Sequence, residues 1–375
     1  MKSLLLIPSV AKTGLEEAVK ADRHPRMDYH ALADHLRDAR GCHVEILDYA
    51  ALDRDLNWLV RFVRRIAGRD PALALLGFVR RRDFDTIFTN GENIGIPLAL
   101  LLKTSRKRPG HVTIGHRLST SKKRLFFRTL RVHRQMDTIF VYARTQHEHA
   151  INELGIPSAR VALIPFHADD KFYRPIPNAA INENQICSAG LEWRDYPTLI
   201  DAVADTPDLK VYLAAASPWS KHNNETAGRT LPPNVDARRY EYGALRDLYA
   251  SSSFVVVPLY ENDFQAGVTT LLEAMAMGKA VIVTRTTGQT DVVANGKNGL
   301  EVPPGDSEGL RCAINMLRTD TALRERLGLS ARIWVEQNAT LQVWVENIVK
   351  ALRQASPGFQ QDVEPTLPSH NLQSN

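Results

Sequence analysis

Cysteine is scarce in this chain of 375 residues: Cys42, Cys187 and Cys312 are odd in number and far apart. That pattern argues against a disulfide framework and against a zinc site built on cysteine pairs, and it fits a reducing, cytoplasmic setting. Long apolar runs are missing too. No stretch reaches the roughly 20 residues that cross a bilayer. The opening MKSLLLIPSV breaks at Pro8, short of the length and cleavage pattern of a secretory leader, so it is read as a first buried strand. No aromatic stacking pattern accompanies the basic residues, which argues against a nucleic-acid partner. Acidic residues are absent from one whole segment. Between positions 103 and 134 stand Lys103, Arg106, Lys107, Arg108, Arg117, Lys122, Lys123, Arg124, Arg128, Arg131 and Arg134, without an Asp or Glu. In a chain of net charge +5, this one-sided segment predicts that something anionic approaches it.

What is present is the composition of a folded globular protein, 44% hydrophobic and 24% charged, at a length that favours two domains. Short apolar runs alternate with helical patterns: SLLLIP, a helix around 29–39, HVEILDY, a helix around 56–66, DTIFTN, a helix through 96–102, HVTIGH, a basic helix from Ser121, TIFVYA, a helix through Ile151, and VALIPF. Such alternation predicts βαβ units and a doubly wound parallel sheet. The polar, proline-bearing PIPNAAINENQ then reads as a linker. The alternation restarts with QICSAG, a helix at 196–203, LKVYLAAA, a helix at 245–250, SFVVVPL, a helix at 269–277 and KAVIVT. The expectation is an α/β protein of two Rossmann-like doubly wound domains facing across a cleft: 1–174, a linker at 175–184, 185–355, and a disordered tail at 356–375. A polar surface loop is expected at 217–233. In such sheets, ligands bind outside the carboxyl ends of the strands.

The densest chemical signal is NDFQAGVTTLLEAMAMG, at 262–278, directly after the run SFVVVPL. A tight glycine-bearing loop opens a helix here, so backbone amides near Gly267, Val268 and Thr269 are placed to receive a phosphate. Glu273, about two turns into the helix, offers a carboxylate to a ribose diol. The plainer alternative is a buried LLEAMAMG helix with a tolerated glutamate.

These residues resemble the sugar-nucleotide site of the family 4 retaining glycosyltransferases (glycosyl transferases group 1, GT-B fold), in which two glutamates eight positions apart flank such a loop. Glu273 matches the second, and Gln265 stands where the first is expected. The resemblance extends to SAGLEWRDYPTLIDAV, with Gly190 at the turn and Arg194 where a phosphate-binding cation is usual. Leu191 stands where an arginine is often found. It also extends to PFHADDKFYRP, whose Asp169, Phe172 and Pro175 read as structural, and to GKAVIVTRTTGQTDVVANGKNGLEVPPGD, which brings Gly288 and Gln289 near the nucleotide. The resemblance implies a metal-independent hexosyltransferase that needs no cofactor and uses a nucleotide diphosphate sugar as substrate, with a glycan or lipid-linked acceptor. It also implies that His116, at the end of HVTIGH, acts near the donor sugar, with Arg194 neutralising the leaving diphosphate and Gln265 contacting the sugar. Gly14, Asn90 and Glu92, in loops after earlier strands, are candidates for the acceptor side. A plain turn is the alternative for Asn90 and Glu92.

On the expected helix from Ser121, Phe126, Leu130 and His133 share one stripe, while Arg124, Arg128 and Arg131 share another. Family members that glycosylate lipids use a similar basic surface on anionic membranes, which implies peripheral binding to the inner face of a membrane; a merely solvated face is the alternative. A sugar-nucleotide epimerase on the same fold remains an alternative, as does a degenerate binding or partner subunit marked by Gln265 and Leu191.

Overall fold

The computed structural model describes residues 1–11, 14–38, 41–215 and 231–357. The surface loop expected at 217–233 falls outside these residues as far as 230, and the expected tail does so from 358. The described chain forms two all-parallel, six-stranded sheets. The first contains β1 (Lys2–Leu6), β2 (His43–Leu47), β3 (Thr86–Thr89), β4 (Gly110–Gly115), β5 (Thr138–Val141) and β6 (Val161–Leu163), in the order β2-β1-β3-β4-β5-β6. The second contains β7 (Asn182–Ala189), β8 (Lys210–Ala214), β9 (Val235–Arg238), β10 (Ser252–Val257), β11 (Ala280–Thr284) and β12 (Leu300–Val302), in the order β12-β11-β10-β7-β8-β9. This is the expected α/β architecture. The central strands β3, β4, β10 and β11 are buried along their whole length, which is why they read as unbroken apolar runs rather than alternating ones.

Strand order determines where the loops diverge. In the first sheet the chain moves from β1 outward to β2 and then returns to the other side of β1 as β3; in the second it reverses between β7 and β10. Loops leaving the carboxyl ends of such neighbouring strands part from each other and open a crevice.

Both faces of the first sheet are covered. Leu5, Ile7, Phe88, Val112 and Ile114 pack against helices Asp28–Asp38 and Leu341–Ala355, while Leu4, Leu6 and Ile87 face helices Arg69–Arg80 and Glu92–Leu102. The helix Leu341–Ala355 departs from the sequence expectation, which ran the second domain to 355. It returns to the first sheet, where Trp344 is buried and donates from Nε1 to the Tyr142 hydroxyl at 3.2 Å. Its amphipathic pattern announces a buried face without saying which sheet will cover it.

The basic segment also differs. Helix Ser121–Arg124 widens into a π turn over Leu125–Thr129, Arg131 adopts a left-handed conformation at φ 48°, and a 3-10 turn follows at Val132–Gln135. The i→i+5 turn rotates the later residues relative to a regular helix. Phe127, Val132 and Met136 therefore enter the core, with Phe126 and Leu130 of the expected stripe half-buried against it. His133 is buried as expected, but on the separate turn.

Candidate active site

The second sheet's crevice is built by the loops after β7 and β10. Gly190 turns the chain at φ 96°, and Arg194 follows with its backbone bridged to Leu259 on the neighbouring loop. The buried Arg194 side chain folds back beneath both loops. Its Nε donates to the Ala189 carbonyl at 2.7 Å, Nη1 to the Glu192 carbonyl at 2.9 Å, and Nη2 to the Thr270 hydroxyl at 3.1 Å. A Cβ at Gly190 would stand 2.5 Å from Nη2, and one at Gly267 would stand 3.1 Å from Nη1. Positive φ favours glycine at both positions; the guanidinium excludes a Cβ at Gly190, and at Gly267 Val257 Cγ1, at 2.8 Å, comes closer still. Burial pushes the Arg194 pKa down from its usual value. The expectation made Arg194 a cation for the leaving diphosphate; the structure shows it bonded as a staple between the two loops. Each terminal nitrogen retains one further N–H, because a guanidinium has five donors.

Gly267, in the left-handed region at φ 76°, caps helix Val268–Ala276 without any side-chain cap. The amides of the first turn, including that of the exposed Thr269, therefore have no capping side chain, at the end of the helix where its dipole is positive. Farther along, the buried Glu273 accepts a hydrogen bond from the Tyr249 hydroxyl at 3.0 Å. Burial pushes its pKa up to about 7, with Tyr249, Tyr173 and Arg194 pulling the other way.

The 285–289 loop closes over this region. Gly288 donates its N–H to the Asn262 carbonyl at 2.9 Å, and a Cβ on it would lie 2.2 Å from the Phe264 backbone. Gln289 Nε2 donates to the Ala266 carbonyl at 3.2 Å. The side-chain oxygens of Gln265, Thr286 and Gln289 are buried without a hydrogen-bond partner among the described residues. Buried acceptors of this kind are costly unless water or a bound molecule satisfies them.

Across the crevice, the exposed His116 leaves the end of β4. It lies beside Gly91, whose added Cβ would be 3.6 Å from the His116 ring, and its own ring is 5.5 Å from that of Tyr142. Glu92 is buried and already engaged. Its oxygens accept from the backbone amides of His116 at 2.8 Å and Arg117 at 3.3 Å, and it pairs with Lys123. Burial would raise the Glu92 pKa, but His116 and Lys123 hold it below the usual glutamate value. The carboxylate expected on the acceptor side thus positions the His116 loop. Asn90 donates to Asp28 at 3.1 Å. Gly14 is exposed in a left-handed conformation at the start of a six-residue helix, Leu15–Lys20. Among the described residues, no group of three or more His, Cys, Asp or Glu is arranged to hold a metal ion.

The sequence reading missed the contacts that join the two halves. Asp263 meets Ser119 Oγ at 2.6 Å and Arg117 at 2.8 Å, and its carbonyl accepts from Gln146 Nε2 at 2.8 Å. The Arg117 guanidinium also lies over the Phe264 ring at 5.1 Å. No sequence spacing links positions 117 and 263, so only the tertiary structure reveals this latch. Replacing Asp263 by Ala is expected to let the halves part, seen as a larger radius of gyration by small-angle X-ray scattering of the free protein. An unchanged radius would assign closure to the other contacts between the halves, in which the Arg144 N–H donates to Asp291 at 2.7 Å and Arg246 meets Asp22 at 2.8 Å.

Residues 191–320 match the family model described as glycosyl transferases group 1. Over 118 residues, 31% of this chain and 30% of the relative, the sequence is 33% identical to the capsular polysaccharide biosynthesis glycosyltransferase CapM of Staphylococcus aureus. Over 137 residues, 36% of this chain and 39% of the relative, it is 30% identical to the lipopolysaccharide core biosynthesis glycosyltransferase LpsE of Rhizobium meliloti. The matches thus span less than half of these curated relatives. Among solved structures, Anabaena HepE in complex with UDP-glucose aligns with a TM-score of 0.69 at 17% identity, covering 94% of this chain and 100% of that one. Sucrose-phosphate synthase from Thermosynechococcus elongatus aligns with a TM-score of 0.69 at 18% identity, covering 94% and 99%. At these identities the structural likeness speaks for the fold. The fold is thus that of these GT-B structures, and the likeness to glycosyl transferases group 1 is carried by residues 191–320, about a third of the chain.

Proposed function

We propose that this protein is a hexosyltransferase that moves a sugar, with retention and without a metal ion, from a nucleotide diphosphate sugar to a glycan or lipid-linked acceptor. The observation that carries the proposal is the meeting of Gly190, Arg194, Gly267 and Thr270 at the second sheet's switch point. Uncapped helix amides and a fixed guanidinium converge there, which is chemistry suited to a diphosphate. Relatives named for capsule and lipopolysaccharide synthesis, and a neighbour bound to UDP-glucose, support the same donor class.

In this reading the first-turn amides and the remaining Arg194 N–H groups stabilise the charge that develops on the leaving diphosphate. Glu273 accepts from the ribose diol. The unpartnered Gln265 oxygen faces donor-sugar hydroxyls, for which an amide offers both an acceptor and donors. His116, held by Glu92, addresses the sugar from the other side. Retention follows when a donor phosphate oxygen receives the acceptor proton on the face from which the diphosphate departs. The exposed Arg124, Arg128, Arg131 and Arg134 rest on anionic lipid at the cytoplasmic face, each contributing about 1 kcal/mol.

The test is thermal stabilisation by a panel of nucleotide diphosphates and their sugars, followed by mass spectrometry of products with candidate acceptors. A ligand at about 100 times its Kd adds about 2.7 kcal/mol to the native state. A donor that raises the melting temperature and is consumed only when acceptor is present supports the proposal. Absence of any shift across the panel sinks it. Stabilisation without turnover supports instead a binding subunit, the reading favoured by Gln265 and by Leu191, which packs against the second domain's core. Acceptor-independent change of the sugar supports an epimerase.

A further inference from the structure

Helix Trp58–Ala67 is buried on one side and bare on the other. Val60 joins the core beneath helix Arg69–Arg80, whereas five large apolar side chains face outward: Leu56 at 84% exposure, Trp58 at 76%, Leu59 at 39%, Phe62 at 53% and Ile66 at 68%. Trp58, Phe62 and Ile66 follow one another at a spacing of four, and Leu59 lies beside them, so they form a single stripe. The exposed Arg61 and Arg65 border it, and the sequence from 56 to 68 contains no acidic residue. Neither arginine has an ion-pair partner among the described residues. A stripe of aromatic and aliphatic side chains flanked by cations, on a helix whose other side is fixed to a domain, is the pattern of a segment that lies in a membrane interface.

The arginine face of the basic segment lies on the same side of the first sheet. Helix Glu92–Leu102 joins the two regions. Its Ile94, Leu98 and Leu102 share a core with Val60, and its Ile96 and Ala99 share one with Phe127 and Val132. Beyond that second core, Arg128, Arg131, Arg134 and Arg160 surround a recess of about 570 Å³. We infer that helix Trp58–Ala67 is an apolar anchor that inserts its Trp58, Phe62 and Ile66 stripe into an anionic lipid leaflet, with Arg61 and Arg65 at headgroup level. The choice of occupant rests on the lipid-facing reading of residues 121–134 given above. A second copy of the chain fits less well: a two-fold contact through this stripe would bring Arg61 and Arg65 against their own copies without a neighbouring carboxylate from 56–68 to offset them.

The experiment is flotation of the purified full-length protein with phosphatidylcholine vesicles, with and without about one-third phosphatidylglycerol. Three variants are compared: Trp58→Ser/Phe62→Ser, Arg128→Glu/Arg131→Glu, and Trp58→Phe with brominated lipid. The parent is expected to float only with the anionic vesicles. The first double variant should bind roughly tenfold or more weakly at an unchanged melting temperature, since loss of buried apolar groups weakens interfacial binding. Trp58→Phe should still bind but lose quenching by brominated lipid. Equal binding of the parent and the first double variant overturns the anchor, and if charge reversal alone abolishes binding, the basic-face reading survives without it. Failure of the parent to bind any vesicle overturns both. Dimerisation in light scattering that disappears in the first double variant assigns the stripe to self-association and overturns the anchor. Sugar-nucleotide stabilisation, measured on the same proteins without vesicles, judges the transferase reading independently.

Discussion

Glu273→Gln is expected to be more stable than the parent at pH 8 and to bind a sugar nucleotide less tightly. The first half follows from linkage. Burial raises the carboxyl from an ordinary 4.5 to about 7 in the folded protein, so between these values the native state holds a proton that the unfolded chain has released. Stability from this group is complete below about pH 4.5, falls as pH rises, and has been lost once pH passes about 7. At roughly 1.4 kcal/mol per pH unit, the loss is about 3 kcal/mol. An amide of the same shape does not ionise and can still accept from Tyr249. Urea denaturation of the ligand-free proteins should therefore show two stability curves that converge near pH 4.5 and separate with the variant on top by pH 8. Parallel curves would mean that the carboxylate is solvated well enough to ionise normally.

The second half uses the same charge. Ribose hydroxyls donating to Glu273 favour the ionised form, so donor affinity of the parent should rise with pH through about 7, and proton release should accompany binding in calorimetry carried out in buffers of different ionisation enthalpy. In Glu273→Gln both effects should vanish. A stabilised variant with unchanged affinity would make Glu273 a structural burden unrelated to the ribose.

The repeating strand and helix order was legible because parallel strands covered on both faces leave apolar runs such as SFVVV and TIFV, and these survive in any context. Strands β9 and β12 were not, since VDAR and LEV are too short and too polar to stand out. Helix Arg69–Arg80 was hidden for the opposite reason: ALALLGFV is apolar almost throughout, and it is buried from Ala72 to Gly77, so no amphipathic period marks it as a helix. In the site, loop chemistry was readable where it is local, as at Gly190 and Gly267. Partners distant in sequence were not readable. Nothing about Glu92 predicts that it will hold the amides of residues 116 and 117, and nothing about Asp263 predicts Ser119 and Arg117.

Arg194 is where the local and the distant meet, and its replacement has the largest expected effect on the site. Arg194→Ala removes charge-assisted bonds to two carbonyls and to Thr270 and leaves a cavity between Gly190 and Gly267, which together should cost about 3–5 kcal/mol. Such a loss alone does not distinguish a staple from a diphosphate ligand. Arg194→Lys does. A single ammonium cannot reproduce the divergent fork to Ala189, Glu192 and Thr270, but it keeps the charge and much of the volume, so the fold should persist at a smaller penalty. Calorimetric titration would then compare a nucleoside with its diphosphate. In the parent the diphosphate should bind far more tightly than the nucleoside, and in Arg194→Lys that difference should shrink at least tenfold, because the oriented N–H groups are lost while the base and ribose contacts remain. If the lysine variant keeps the full difference, the helix amides alone hold the diphosphate and Arg194 acts only by fixing the two loops that present them.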